Sequence, residues 1–436
     1  MVSSDSSVPA QAHGTLLAAL VTAAGSSLGD HLQLLLAVPL TTAGFVIAWV
    51  AAGRAGSRAR PYRSIELALS AAIGVAIVVG PPSHTAGWFQ ACYWGYYAAG
   101  LAAVAAVAIG DAPLRRRVLW TMVGCAAALH LAVPIASERP TIDVWTWTDA
   151  CVRALLHGAH PYTAQAADPT RGAFNYGYVT TVYPYMPLVL IAQAPATALA
   201  GDYRFGLALC LPIAILLLHS AGRRLRADDR VLDTAMLTLL MHPRSVYMVS
   251  LGWTEPLMVL ALALFVRLSV DGRRPLAEAF AFLLLPFLKQ YVVAPVALYL
   301  AEPRRWRSIA IAAVALAAAT ILPFAATNWR ATVDGILFPL RKQAFRPDSD
   351  SLAAFAHHFT GFVPPRWLAP AVQLGVGAAA FARLRHQGLG GLLLASALAL
   401  FASFLVGLQS FVNYYYFVGA LLVCAAVAMS PREAAA

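Results

Sequence analysis

Asp143-Val-Trp-Thr-Trp-Thr-Asp149, Leu155-Leu-His-Gly-Ala-His-Pro-Tyr162 and Val182-Tyr-Pro-Tyr-Met-Pro-Leu188 follow one another in the longest polar, aromatic-rich interruption of the first half of the chain. The flanking apolar runs approach the roughly 20 residues that a helix needs to cross a bilayer. A stretch rich in Asp, His, Trp and Tyr between such runs is where polar chemistry finds room in a membrane protein.

Of the 436 residues, 60% are hydrophobic and 12% charged, and the mean hydropathy is +0.68. Ordinary globular domains carry roughly 25% charged residues, and a soluble protein this apolar would need an implausibly large core. The fold class is therefore all-α and integral to the membrane, a polytopic helical bundle. The net charge is +11, and the basic residues cluster in short loops: Arg54–Arg63, Arg115–Arg117, Arg223–Arg230, Arg273-Arg274, Arg304–Arg307 and Arg383–Arg385. Clusters between apolar spans report topology first. A soluble basic face with aromatics, which nucleic acid would want, is missing. The five cysteines form no CxxC or Cys/His cluster, so neither a disulfide framework nor a zinc site is expected. No Walker A motif or GxGxxG helix start points to a nucleotide-binding domain. The Ser-rich, acidic N-terminus lacks the basic region of a cleavable signal peptide.

Residues 1–31 read as a weakly apolar N-terminal segment in which Leu16 to Ala24 is too short to span, and 32–436 as one transmembrane domain. Leu32–Ala52, Ile65–Gly80, Ala91–Ile109 and Val118–Ala136 alternate with arginine runs, which puts Asp143 outside the cytoplasm. Tyr183–Leu199 carries three prolines and reads as interfacial or re-entrant, a broken backbone tolerated where it lines a cavity. Leu207–Gly222 is a cleaner span that ends at Arg223-Arg224, and Val231–Val249 and Leu257–Val270 flank an outer turn at Gly252-Trp-Thr-Glu-Pro256. Leu276–Leu288 and Val292–Leu300 are two short halves meeting at Lys289-Gln-Tyr291. Ser308–Ala326, Trp367–Ala382, Gly391–Gly407 and Phe411–Ala428 complete a bundle of about thirteen crossings. Two long outer loops, 137–182 and 327–366, are expected to contain interfacial helices.

Each polar residue has a bland reading beside its functional one. Asp143 is either a general base or the N-cap of a helix Val144–His157. Asp149, four residues before Arg153, predicts an ordinary i,i+4 ion pair. Trp147, Cys151 and Leu155 mark the apolar face of an amphipathic helix. His157 and His160 either contact a sugar or cap the helix end. Tyr162, Tyr176, Tyr178, Tyr183 and Tyr185 suit both sugar stacking and a membrane interface. Arg244, Glu255 and Lys289 lie at outer turns, where an ionisable group is expensive and suggests a site; the alternative for Lys289 is a snorkelling residue. Arg346, Asp348, Asp350, His357 and His358 belong to the second loop, and a solvated charged surface is their alternative.

An acid followed by an aromatic, a short helix ending in Leu-Leu-x-Gly-x-x-Pro-Tyr162 and Tyr183-Pro-x-x-Pro-Leu188 together resemble the first extracytoplasmic loop of the polyprenyl-phosphate-mannose-dependent membrane glycosyltransferases, glycosyltransferase family 87, of GT-C type. The resemblance continues to about Ala428. Phe287-Leu-Lys289-Gln-Tyr291 is similar to the family's Ile-Lys-Pro-x-Pro junction, with Gln290 in place of proline. Gly252-Trp-Thr-Glu255-Pro-Leu257 resembles its Gly-Gln-x-x-x-Leu turn, with Glu255 an added acid. Asp350-Ser-Leu352 resembles its Asn-Gln-Ser-Leu segment, and Gln409–Tyr416 its Trp-x-His-Tyr segment without the histidine. The spans before Val118 are additional to the family core.

The resemblance implies a GT-C-like bundle that moves a sugar, mannose by the family's example, from a polyprenyl-phosphate donor to a lipid-linked or cell-envelope glycan acceptor with inversion. It implies Asp143 as the base and Arg244, Lys289 or Arg346 as phosphate partners, with Glu255, His160, Tyr183 and His357 as further substrate-binding candidates. No cofactor and no metal are expected, and the other partner is the bilayer. The alternative is a transporter or flippase, since broken apolar helices with polar breaks also mark that class. Against it stand the concentration of polar residues on one side and the lack of matching interruptions in the two halves.

Overall fold

A computed structural model describes residues 8–28, 36–53, 58–59, 63–82, 85–137, 139–140, 142–166, 182–302 and 305–431. Tyr176, Tyr178, Arg304, Arg432 and most of the Arg54–Arg63 run lie outside these residues. Apart from a two-residue antiparallel pairing of β1 (Val8–Pro9) with β2 (Arg58–Ala59), the regular structure is helical.

The first five helices are α1 (Ala10–Ser27), α2 (Val38–Ala52), α3 (Arg63–Val79), α4 (Gly87–Ile109) and α5 (Ala112–Ala136). The interrupting stretch forms α6 (Asp143–Leu156), and α7 (Pro187–Ala200), α8 (Arg204–Arg224), α9 (Asp229–Leu240), α10 (Ser245–Ser250) and α11 (Glu255–Ser269) follow. The last third holds α12 (Pro275–Leu288), α13 (Val293–Leu300), α14 (Trp306–Thr320), α15 (Leu322–Lys342), α16 (Leu352–Thr360), α17 (Leu368–Leu384), α18 (Gly388–Leu405) and α19 (Val412–Ala428).

Helices that are apolar on every face belong at the centre of a bundle. α18 and α19 are buried along almost their whole length, and α1 packs against α19, α2 and α3. Outward-facing apolar side chains such as Ile109, Val314 and Leu216 remain exposed, as a lipid-facing surface requires. Four helices among the described residues are long and apolar enough to cross a membrane, or five if α14 and α15, bent by 71°, count as one broken span. With this composition the chain is a multi-pass membrane protein.

The described helices do not map one to one onto the expected spans, because prolines and polar turns divide the apolar sequence into shorter pieces. Val231–Val249 is not one helix: Met241-His-Pro-Arg244 separates α9 from α10, and Pro243 supplies no N–H to continue the ladder. Leu16–Ala24 is the middle of the 18-residue α1, so the N-terminal segment contributes to the same core. The 327–366 stretch, expected as a loop, is largely helical, formed by the end of α15 and by α16. α7 has 14 residues and is about 21 Å long, short of a hydrocarbon core of roughly 30 Å. The predicted break between Leu288 and Val292 appears where expected, between α12 and α13.

Candidate active site

Asp143 is the first residue of α6, so Ile142 and not Asp143 holds the N-cap position, and the Asp143 Oδ1 accepts from the Val144 amide at 2.8 Å. The segment leading to it is tied down from below. Arg204, which is 1% exposed, donates to Ser137 Oγ at 2.8 Å and to the Ser137 carbonyl at 3.3 Å, and pairs with Asp202 at 2.8 Å. Two charge-assisted contacts thus anchor the end of α5 beside the start of α8. The body of α6 turns Trp147, Cys151 and Val152 into a small cluster with Tyr162, Tyr183 and Leu190. Asp149 pairs with Arg153 at 2.8 Å, the i,i+4 bridge that the spacing predicts.

Lys289 sits in the break after α12, in extended backbone, with its ammonium 5% exposed at the residue level. Its Nζ donates to Glu255 Oε1 at 2.6 Å, and Asn413 Nδ2 donates to the same oxygen at 2.9 Å. Tyr185, Tyr291 and Tyr414 surround the ammonium with ring centroids at 5.2, 5.6 and 5.5 Å, close enough for cation–π attraction. A buried charge survives when it is paired and hydrogen-bonded, which these contacts provide. Gln290, the departure from the family's proline, donates to the carbonyls of Pro184 at 3.1 Å and Ile336 at 3.0 Å. It thereby holds the stretch before α7 and the middle of α15 against the break.

Glu255 is placed by the turn at Gly252, whose φ of +68° is left-handed and whose Cβ would lie 2.2 Å from the Tyr203 hydroxyl. Only glycine fits that turn without strain. Arg346 comes from the segment after α15, which is laced to the one before α19. Its amide donates to the Leu408 carbonyl at 2.8 Å, and the Asp350 amide donates to that of Ser410 at 2.7 Å. The Tyr415 hydroxyl donates to the Asp350 carbonyl at 2.6 Å. Arg346 itself pairs with Asp348 and lies over the Phe411 ring at 4.9 Å.

Asp143, Lys289 and Arg346 line one cavity of about 220 Å³, together with Tyr185, Gln343 and Asn413. A second cavity of about 220 Å³ shares Lys289, Tyr185 and Tyr414 with it and runs between α13, α15, α17 and α18 past Phe404 and Pro370. A carboxylate, two cationic side chains and an apolar extension are thus adjacent. The other candidates lie elsewhere. Glu255 stands behind Lys289 and is fully buried. Arg244 lies away from both cavities, where its Nη2 donates to the Ser27 carbonyl at 2.9 Å and its guanidinium covers Tyr247 at 4.5 Å. His160 Nε2 contacts the Phe324 carbonyl at 3.1 Å, and Tyr183 is buried under α6. His157 follows the end of α6, outside the residues lining the two cavities. His357 Nδ1 contacts the Phe362 carbonyl at 3.2 Å on α16. Asn413 and Gln343 carry no signal in sequence beyond the position of Asn413 inside the Gln409–Tyr416 motif. Among the described residues no three His, Cys, Asp or Glu side chains converge as metal ligands.

No protein-family model matches the chain. No curated protein matches it either. Among solved structures, ArnT from Cupriavidus metallidurans bound to undecaprenyl phosphate is similar at 15% identity with a TM-score of 0.49. The similarity covers 73% of this chain and 60% of that one. A likeness this distant decides nothing about chemistry, so the functional reading rests on the cavity.

Proposed function

We propose that this protein is a GT-C-type membrane glycosyltransferase that uses a polyprenyl-phosphate sugar. The observation that carries the proposal is the meeting of Asp143, Lys289 and Arg346, distant in sequence, in one cavity that continues into an apolar one. A polyprenyl-phosphate sugar has the matching layout of hydroxyls, phosphate and hydrocarbon. In this reading the Asp143 carboxylate takes the proton of an acceptor hydroxyl. The hydroxyl oxygen bonds to the anomeric carbon as the bond from that carbon to the phosphate oxygen breaks, with inversion, and polyprenyl phosphate leaves. An ammonium has three hydrogens. Lys289 donates one of them to Glu255, and the others are available to stabilise charge growing on the phosphate. Arg346, which lines the same cavity, supplies the second cation.

The resemblance of the loop motifs supports mannose as the sugar and a lipid-linked or envelope glycan as acceptor, and the arginine distribution supports an extracytoplasmic cavity. The grouping of these residues at one end of the bundle favours surface catalysis over vectorial transport. The test is transfer of radiolabelled mannose from polyprenyl-phosphate mannose to a membrane glycolipid extract by the purified protein. Transfer that disappears in Asp143→Asn is expected. Absence of transfer from any polyprenyl-phosphate hexose, or an unimpaired variant, would sink the proposal.

A further inference from the structure

We propose that a basic cavity at the other end of the bundle binds the phosphate of an anionic phospholipid headgroup. The cavity, about 420 Å³, lies where the start of α5 meets the end of α8 and the start of α9. Arg115, Arg116, Arg117 and Arg223 line it, against Asp229 and Asp233. Two of the arginines are committed: Arg115 pairs with Asp233 at 3.2 Å, and Arg223 with Asp229 at 2.6 Å. Arg116 and Arg117 are exposed and have no carboxylate partner among the described residues. The cavity therefore keeps a net charge of +2 facing a space large enough for a phosphodiester.

Its position selects a lipid over a soluble anion. α8 has 21 residues and is about 31 Å long. Its first turn adjoins the Gly252 turn of the candidate active site, and its last turn carries Arg223 into the basic cavity. Leu209, Ile213 and Leu216 form an exposed apolar stripe on α8, at 45%, 41% and 51% exposure, ending one turn before His219 at the cavity wall. A headgroup held by Arg116 and Arg117 would lay its acyl chains along that stripe. Basic pockets between membrane helices on the arginine-rich side recognise anionic headgroups in this way. The stripe, the cavity and the two unpaired guanidiniums are independent of what the other end of the bundle catalyses.

The experiment is native mass spectrometry of the full chain released from detergent, titrated with phosphatidylglycerol or phosphatidylcholine. Phosphatidylglycerol should bind in preference, and Arg116→Gln with Arg117→Gln should weaken it by roughly 30-fold, the product of two arginine contributions near an anionic surface. Arg273→Gln with Arg274→Gln, an exposed basic pair on the turn beside Asp271, should leave binding unchanged, which separates a built site from general attraction. Equal binding of the two lipids, full binding by the Arg116/Arg117 variant, or an equal loss in the Arg273/Arg274 variant would each overturn the proposal. Displacement of the lipid by inorganic phosphate at equal concentration would overturn it too, by showing a site for a soluble anion.

Discussion

Asp143 and Lys289 make opposite demands on a mutational test. Asp143 is half-buried, and one of its contacts is local, with Oδ1 accepting from the next amide. Asn keeps a carbonyl oxygen that can accept the same bond from the Val144 amide. Asp143→Asn should therefore melt like the parent while losing on the order of 10²-fold or more in transfer rate, the scale of a removed general base. Asp143→Ala should lose the same activity and about 1 kcal/mol of stability besides, the scale of one side-chain to backbone hydrogen bond. An active Asn variant with an unstable Ala variant would leave Asp143 only its structural role. Lys289 cannot be tested by truncation alone, since Lys289→Ala leaves Glu255 buried at 0% exposure without its cation. Breaking a buried pair from one side costs about 3–5 kcal/mol, so activity and fold would fall together. The double variant Lys289→Met with Glu255→Gln removes both charges and should recover most of the melting temperature. Activity should stay lost if Lys289 meets the donor phosphate; a stable and active double variant would show the pair to be structural.

At the scale of elements, the cavity depends on how closely α15 approaches the stretch between α6 and α7. Gly335 makes that approach possible. A Cβ there would meet Tyr162 Cδ1 at 2.3 Å and the Tyr183 carbonyl at 2.6 Å. The Tyr162 ring could tilt, but the carbonyl belongs to backbone that the Tyr162 hydroxyl and Gln290 hold through the adjacent Tyr185 and Pro184 carbonyls. Gly335→Ala should therefore displace α15, destabilise by about 1–3 kcal/mol as overpacking does, and lower the apparent donor affinity because Phe338 and Pro339, one turn on, line the cavity. Thermal unfolding and the donor-concentration dependence of transfer measure the two effects. A variant with parental values for both would mean that the α15 contact is dispensable. The broken helices follow the same logic. α12 stops at Leu288 and α9 at Leu240, and the exposed backbone of each break is used, by Gln373 on Tyr291 and by Tyr97 on His242.

For the whole molecule, the ends of the bundle sort by charge. Asp143, Lys289 and Arg346 gather at one end. The pairs Arg224–Asp271 and Arg305–Glu278 lie toward the ends of α8, α11 and α12 remote from it. If the arginine-rich end is cytoplasmic, single cysteines at positions 143 and 348 should react with an impermeant thiol reagent in intact cells. Cysteines at 224 and 305 should react only after the membrane is opened. The exposed native Cys92 and Cys125 need replacement by alanine first. Labelling of position 224 from outside would reverse the orientation and with it the assignment of the cavity to the outer face.

Much of this was legible in the sequence. The hydropathy and low charge made a helical membrane bundle unavoidable, because an apolar run near bilayer length has few other ways to satisfy its backbone. The order of α6, the ion pair Asp149–Arg153 and the break at Lys289 followed from local spacing. The identity of Lys289's partner did not. Glu255 and Asn413 are separated from it by dozens of residues, and no local rule relates the end of α12 to the starts of α11 and α19. Nor could spacing tell Arg244, which locks α1 to α10, from Arg346, which reaches the cavity, since both are arginines beside outer turns. The chain's local chemistry determined which segments are helical and where they break. Only tertiary packing decided which of the broken ends meet, because burial of a charge is decided by whatever the fold brings within about 3 Å of it.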